Sequence, residues 1–231
     1  MNTQIAWLTV AGLLLVIIGA ACASAEEKPG LAEVHVLLTG YVNEGKGPDE
    51  KIPVFLQGHG ALSVQPTVSL VRDGDIRLIV DPGILSDDAV KNLRQGLKSS
   101  KLKFNDITHV FLTHQHIDHT KNTGLFENAK VYDYASTYEG DRWTRHLGEF
   151  EISPNIRIIQ TPGHTLEDAS LVVRTKEGVV VLTDVWWFAD RTPEKDPLAE
   201  DQALLDASRQ RVLKLADRVI TSHGGSFDVK K

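Results

Sequence analysis

Three imidazoles and a carboxylate crowd into six positions, His114, His116, Asp118 and His119, in the segment ThrHisGlnHisIleAspHis that directly follows the apolar run ThrHisValPheLeu. Such groups are costly to bury together without a cation among them. Whatever fold the chain adopts must therefore carry this segment to a place that can hold positive charge. The apolar run reads as a strand. At its exit His114 and His116, two positions apart, project the same way, whereas Asp118 and His119 lie past the bend and face a second point. A surface cluster of histidines is the plain alternative. The spacing suits two neighbouring metal ions better, and imidazole and carboxylate are standard zinc ligands.

The chain has 231 residues, 42% hydrophobic and 24% charged, enough to bury one sizeable core, so a single domain is expected over 31–231. Its 25 Lys and Arg against 31 Asp and Glu give a net charge of -6, which repels polyanions. The densest basic stretch, Lys91 to Lys103, reads as a solvated helix face and its exit loop. No nucleic acid partner is expected, and a small-molecule substrate is.

Residues 1–25 contain no Asp, Glu, Lys or Arg, and Ile5 to Ala23 is nearly all apolar, as in a segment addressed to a membrane. Ala23-Ser24-Ala25 before Glu26 fits the small-residue cleavage pattern of a secretory signal, although the usual positive charge is missing. Two readings stand, a signal peptide or an N-terminal membrane anchor. Either one exports the domain, as a secreted or periplasmic protein that meets the membrane only through this segment. Cys22, the only cysteine, is a small residue of that region or a lipidated terminus. Once the segment is removed, neither a disulfide nor a thiol nucleophile is available.

Glu33 to Tyr41 alternates as a strand. Thr67 to Arg72 and Ile76 to Val80, separated by Asp73-Gly74-Asp75, read as a hairpin. Ser86 followed by Asp87 and Asp88 looks like an N-cap with an acidic first turn, ahead of Ala89, Val90, Leu93 and Leu97 at helical spacing. Further strands are expected at Ile156 to Gln160, Ser170 to Arg174, Val179 to Leu182 and Arg218 to Thr221, with a helix near Asp201 to Ala216. The irregular stretches Asn43 to Pro53 and Ala189 to Pro197 are long for a compact domain, and such loops are often functional.

Four further groups complete a pattern with the first motif: ThrProGlyHisThr around His164, LeuThrAspVal around Asp184, SerHisGlyGly around His223, and ValAspProGly around Asp81. From about Val64 onward the sequence resembles the metallo-β-lactamase superfamily, in particular its small single-domain members. The resemblance implies an α/β fold, a four-layer αβ/βα sandwich with metals at one rim. It implies that His114, His116 and His164 hold one metal, that Asp118, His119 and His223 hold the other, and that Asp184 bridges them. A carboxylate between two cations offsets their repulsion at a separation of about 3.5 to 4 Å. Asp81 takes the place that orients a ligand histidine from behind. His116, rather than an acidic residue, separates the chain from relatives with a di-iron centre and favours zinc over other divalent transition metals. Aspartate rather than cysteine at position 184 sets it apart from one group of antibiotic-hydrolysing relatives.

The expected activity is metal-dependent hydrolysis of an ester, thioester, amide or phosphodiester bond by a dinuclear zinc centre (two Zn2+ per chain), with Asp118 orienting the nucleophile and accepting its proton. A metal-dependent nuclease and a non-catalytic, metal-retaining binding protein are the alternatives. His59 in a glycine-flanked loop, Lys121 just behind the histidine motif, and Trp186 beside Asp184 are read as substrate-pocket candidates. His35 and His109 read as satisfied structural residues. For the N-terminus, intact-mass measurement on protein from its natural host is expected to give a chain starting at Glu26; a full-length species released only by detergent would establish the anchor instead.

Overall fold

The computed structural model describes residues 30–43, 63–83, 86–146, 148–190 and 192–231. The N-terminal segment and His59 lie outside the described residues. Among the described residues, no helix is long and apolar enough to cross a membrane.

Two sheets stack face to face. The first contains, in spatial order, β1 (Glu33–Leu38), β4 (Val68–Asp73), β5 (Ile76–Val80), β6 (His109–Phe111), β7 (Lys130–Tyr132), β8 (Ser136–Glu139) and β9 (Arg142–Arg145). The second contains β10 (Phe150–Ser153), β11 (Ile156–Gln160), β12 (Ala169–Thr175), β13 (Gly178–Thr183), β14 (Arg218–Thr221) and β15 (Ser226–Asp228). A separate hairpin pairs β2 (Tyr41–Asn43) with β3 (Ser63–Gln65).

The alternation of strand side chains builds the layers. Leu78, Val80 and Phe111 from the first sheet meet Ile156, Ile158, Leu171, Val173, Leu182 and Ile220 from the second in one apolar core. Their neighbours Leu70, Ile79 and Val110 point outward to Ala89, Leu93 and Leu97 of helix α1 (Asp87–Ser99). On the opposite side Ile159, Val172, Val181 and Val219 receive Leu205 and Val212 of helix α3 (Gln202–Leu215). Helix, sheet, sheet, helix is the expected four-layer α/β sandwich.

Local signals in the sequence account for the element ends. The Ser86 hydroxyl accepts from Ala89 N at 3.2 Å to start α1, and the Asp201 carboxylate accepts from Leu204 N at 3.0 Å to start α3. Gly74 turns the β4–β5 hairpin at φ 57°. The expected strand 33–41 is divided into β1 and β2 around Gly40, where the chain passes so close to its neighbours that a Cβ would lie 2.6 Å from the Thr67 nitrogen and 2.5 Å from the Ser222 carbonyl oxygen.

Strands β5, β6 and β7 run parallel, as do β13 and β14, so several chain exits open at the same rim. Gly83 seals one corner of it: a Cβ built there would sit 1.9 Å from the Asp118 carbonyl oxygen. Gly83→Ala is expected to lower stability by roughly 3 kcal/mol, as overpacking against backbone does. Gly124→Ala, which meets nothing within 4 Å, should change it by less than about 1 kcal/mol. Calorimetric unfolding of the two variants tests the contrast, and equal melting temperatures would contradict it.

Candidate metal centre

His114 and His116 leave the end of β6, and His116 precedes the short helix α2 (Ile117–Thr120), which carries Asp118 and His119. His164 follows β11, Asp184 follows β13 and His223 follows β14. Gly163, at φ 147°, lets the His164 turn lie against α3, where a Cβ would come within 2.2 Å of the Leu205 nitrogen.

The seven side chains converge on two points. At the first, His116 Nδ1 lies 2.8 Å from His114 Nε2 and 3.2 Å from His164 Nε2. Asp184 Oδ2 lies 3.8 and 3.6 Å from those two Nε2 atoms. At the second, Asp118 Oδ2 lies 3.4 Å from His119 Nε2 and 3.9 Å from His223 Nε2, and Asp184 Oδ1 is 3.9 Å from the latter. Donors around a tetrahedral zinc, at bond lengths of about 2.0 to 2.1 Å, stand about 3.3 Å apart, so both groups have the dimensions of a metal site. Asp184 offers one oxygen to each.

The imidazoles are aimed from behind. Asp81 Oδ2 lies 3.0 Å from His119 Nδ1, while the same carboxylate accepts Thr113 N and Thr113 Oγ1, each at 2.8 Å. Asp81 adopts φ 49°, a strained backbone for a non-glycine residue. The Gln65 carbonyl oxygen lies 3.0 Å from His223 Nδ1, and Thr113 Oγ1 lies 3.1 Å from His114 Nδ1. Asp196 Oδ2 lies 2.9 Å from His164 Nδ1. Each contact occupies Nδ1 and leaves Nε2 for the centre, the usual outer support of a metal-binding histidine.

Burial and charge pull these groups in opposite directions. Burial, then the surrounding imidazoles, hold His114 well below the ordinary histidine range. His119 is equally buried, yet Asp81 and Asp118 outweigh that and raise it well above the range. Burial also opposes the proton on His164, but Asp184 and Asp196 push its pKa up to about 9. Despite burial, His119 holds the Asp118 carboxyl below its usual value. The carboxylates around His119 and His164 thus favour the protonated rings, and a cation entering there competes with a proton.

Asp184 tests whether the site fits a metal. It is 2% exposed, and neither carboxylate oxygen has a hydrogen-bond partner. An unpaired buried carboxylate is strongly disfavoured. Its nearest polar neighbours are imidazole nitrogens that point with it at the same two places, so the donor set fits a pair of cations.

The remaining pocket candidates separate. A cavity of about 190 Å³ opens over the centre, lined by His116, Asp118, Val42, Val64, Trp187 and Leu198 among others. Trp187, not Trp186, forms its wall; Trp186 turns outward and meets Phe227 edge-on at 5.4 Å. Lys121 is exposed at the end of α2 and does not line the cavity. His109 bonds Thr108 Oγ1 at 2.7 Å and stacks on Tyr132, whereas His35 is exposed beside Glu33. Sequence reasoning missed Asp196, Leu198 and the Gln65 carbonyl. The only signal for Asp196 was the unusual length of the 189–197 stretch, which Leu198 directly follows.

The sequence profile of the Metallo-beta-lactamase superfamily matches residues 63–230. Metallo-beta-lactamase domain-containing protein 1 of Xenopus laevis is 32% identical over 207 residues, covering 86% of this chain and 82% of that protein. The Homo sapiens protein of the same name is 39% identical over 137 residues, half of its own length. Among solved structures, a metallo-beta-lactamase of Thermotoga maritima superposes with a TM-score of 0.64 at 23% identity, covering 86% of this chain and 99% of that one. An N-acyl homoserine lactone hydrolase with N-hexanoyl-L-homoserine at its catalytic metal centre superposes with a TM-score of 0.56 at 19% identity, covering 85% and 94%. With its profile match spanning most of the sequence and its two sheets stacked as in these structures, the chain belongs to the metallo-β-lactamase superfamily.

Proposed function

We propose that the protein is a hydrolase that binds two zinc ions at this rim and cleaves a small acyl compound, an ester, lactone, thioester or amide. The observation that carries the reading is Asp184, whose two buried oxygens lack hydrogen bonds and each face imidazole nitrogens within 4 Å. His114 Nε2, His116 Nδ1 and His164 Nε2 would hold one ion, and Asp118, His119 Nε2 and His223 Nε2 the other. Asp184 would be shared between them.

When bound, two zinc ions supply Lewis acidity, lowering the pKa of water to about 7 and polarising the oxygen of the scissile group. The protein's own residues do the rest. Asp118 lines the cavity, and His119 keeps it ionised, so its carboxylate orients the attacking water and takes up its proton. Asp81, Asp196 and the Gln65 carbonyl hold three imidazole Nδ1 positions, so the rings need no reorganisation during the reaction. Val42, Val64, Trp187 and Leu198 exclude water from one side and seat the apolar part of a substrate. No Lys or Arg is among the described residues lining the cavity, which favours a neutral acyl group over a phosphodiester. The lactone hydrolase among the structural neighbours carries out chemistry of this kind. The N-terminal segment, read as an export signal or anchor, would place the reaction outside the cytoplasm.

Zinc-loaded protein is expected to hydrolyse at least one member of a panel of thioester, lactone, ester and amide substrates faster than bis(4-nitrophenyl) phosphate. The opposite preference would favour the nuclease reading, and no turnover on any of them the binding-protein reading. Asp184→Asn should retain fewer than two ions per chain and lose roughly 10²-fold or more in rate, the scale of removing one preorganised electrostatic group. Its melting temperature in excess chelator should match that of the parent. Two retained ions with near-native turnover would remove Asp184 from the bridge. Chelation should also lower the melting temperature of the parent, since a ligand at a thousand times its Kd stabilises by about 4 kcal/mol. Differential scanning calorimetry with and without EDTA reads this directly.

A further inference from the structure

Asp196 is joined to more of the site than a support for one histidine requires. It lies in the loop between β13 and α3 and is 6% exposed. Its Oδ2 is shared, lying 2.9 Å from His164 Nδ1 and accepting from Trp187 Nε1 at the same distance. Oδ1 accepts from the Leu198 backbone N–H at 2.8 Å, and the Asp196 N–H donates to Gln202 Oε1 at 2.9 Å. Helix α3 braces the arrangement through Arg209, which donates from Nε to the Val185 carbonyl and from Nη1 to the Glu194 carbonyl, at 2.8 and 3.0 Å. The segments carrying Asp184 and Asp196 are therefore held by one guanidinium.

Trp187 in turn touches both metal-facing groups. Its ring stands edge-to-face with His164 and with His223, each at 5.7 Å between centroids. Trp187 and Leu198 are also two of the four apolar residues of the cavity wall among the described residues. One carboxylate thus fixes a histidine at the centre and two residues of the wall.

We propose that Asp196 is a positioning residue that couples the metal centre to the substrate-binding wall, through the oxygen it shares between His164 Nδ1 and Trp187 Nε1. The proposal rests on the reading of His164 as a metal ligand. Exchanging a proton for a cation at His164 Nε2 changes the electron demand of the ring and with it the donor strength of Nδ1–H. That bond then draws on the same oxygen that holds the indole, so loading of the centre alters the environment of Trp187. A substrate pressed against Trp187 acts on His164 by the same route in reverse.

The test uses the full chain freed of metal, then titrated with zinc against a chromophoric competitor while tryptophan emission is followed. The parent is expected to bind two zinc ions and to change its emission as they bind. Asp196→Asn should lose roughly 10- to 100-fold in affinity at one of the two sites, the usual cost of removing an outer partner of a metal-binding histidine. Its emission response should shrink, with an unchanged circular dichroism spectrum in excess zinc. Trp187→Phe keeps the carboxylate on His164, so it should bind both ions within about 3-fold of parental affinity while losing the emission response.

Asp196→Asn with parental affinity at both sites would overturn the proposal and leave the metal reading intact. A full emission response in Trp187→Phe would overturn the coupling, and it would do so even if Asp196→Asn does not fold. A parent chain that binds no zinc would remove the metal reading and this proposal together.

Discussion

The site is organised around a buried carboxylate to which the protein itself donates no hydrogen bond. Asp184 follows β13 into the interior of the rim, where neither oxygen finds a hydrogen-bond donor. Burying a carboxylate is costly, and doing so without a donor more so. Around it the other six side chains divide into two groups with matching gaps. The parallel strands make this possible, because β6 in one sheet and β13 and β14 in the other release their chains at the same rim. The apolar core beneath them sets where the rim lies, and the outer partners set where each ring points.

Most of this architecture was legible because it is written in local chemistry. The turn Asp73-Gly74-Asp75 announces the β4–β5 hairpin, and Ser86 announces α1 by its cap. The elements that escaped notice lack such signals. β9 has all four residues exposed and no apolar face, and β7 and β15 have only three residues each. Their placement comes from pairing with distant neighbours, which no local pattern encodes.

The same division holds within the site. His114, His116, Asp118 and His119 stand together in the chain, and the family resemblance supplied His164, Asp184 and His223 as expectations that the fold brings to the same place. Choosing between Trp186 and Trp187 required knowing which way the chain turns after β13, where strand alternation no longer applies. Asp196 was harder still, since its partners His164 and Trp187 lie 32 and 9 residues away. Lys121 misled because proximity in sequence to the histidine motif does not place a side chain in the cavity, and the end of α2 turns it to solvent.

The two clusters draw on both sheets. His114, His116, Asp118 and His119 follow a strand of the first, while His164, Asp184 and His223 follow strands of the second. Bound ions would therefore act as staples, fastening two halves of the sandwich that otherwise adhere through their apolar core and a few hydrogen bonds, such as that from Asn155 Nδ2 to Asp73 Oδ1. In a chain with a single cysteine, coordination would be the cross-link that a disulfide provides in many secreted proteins. Such a fastening differs from a disulfide in being governed by free metal concentration instead of redox potential. The resistance of this rim to opening would then follow the zinc content of the surroundings, while the far end of the sandwich would not feel it.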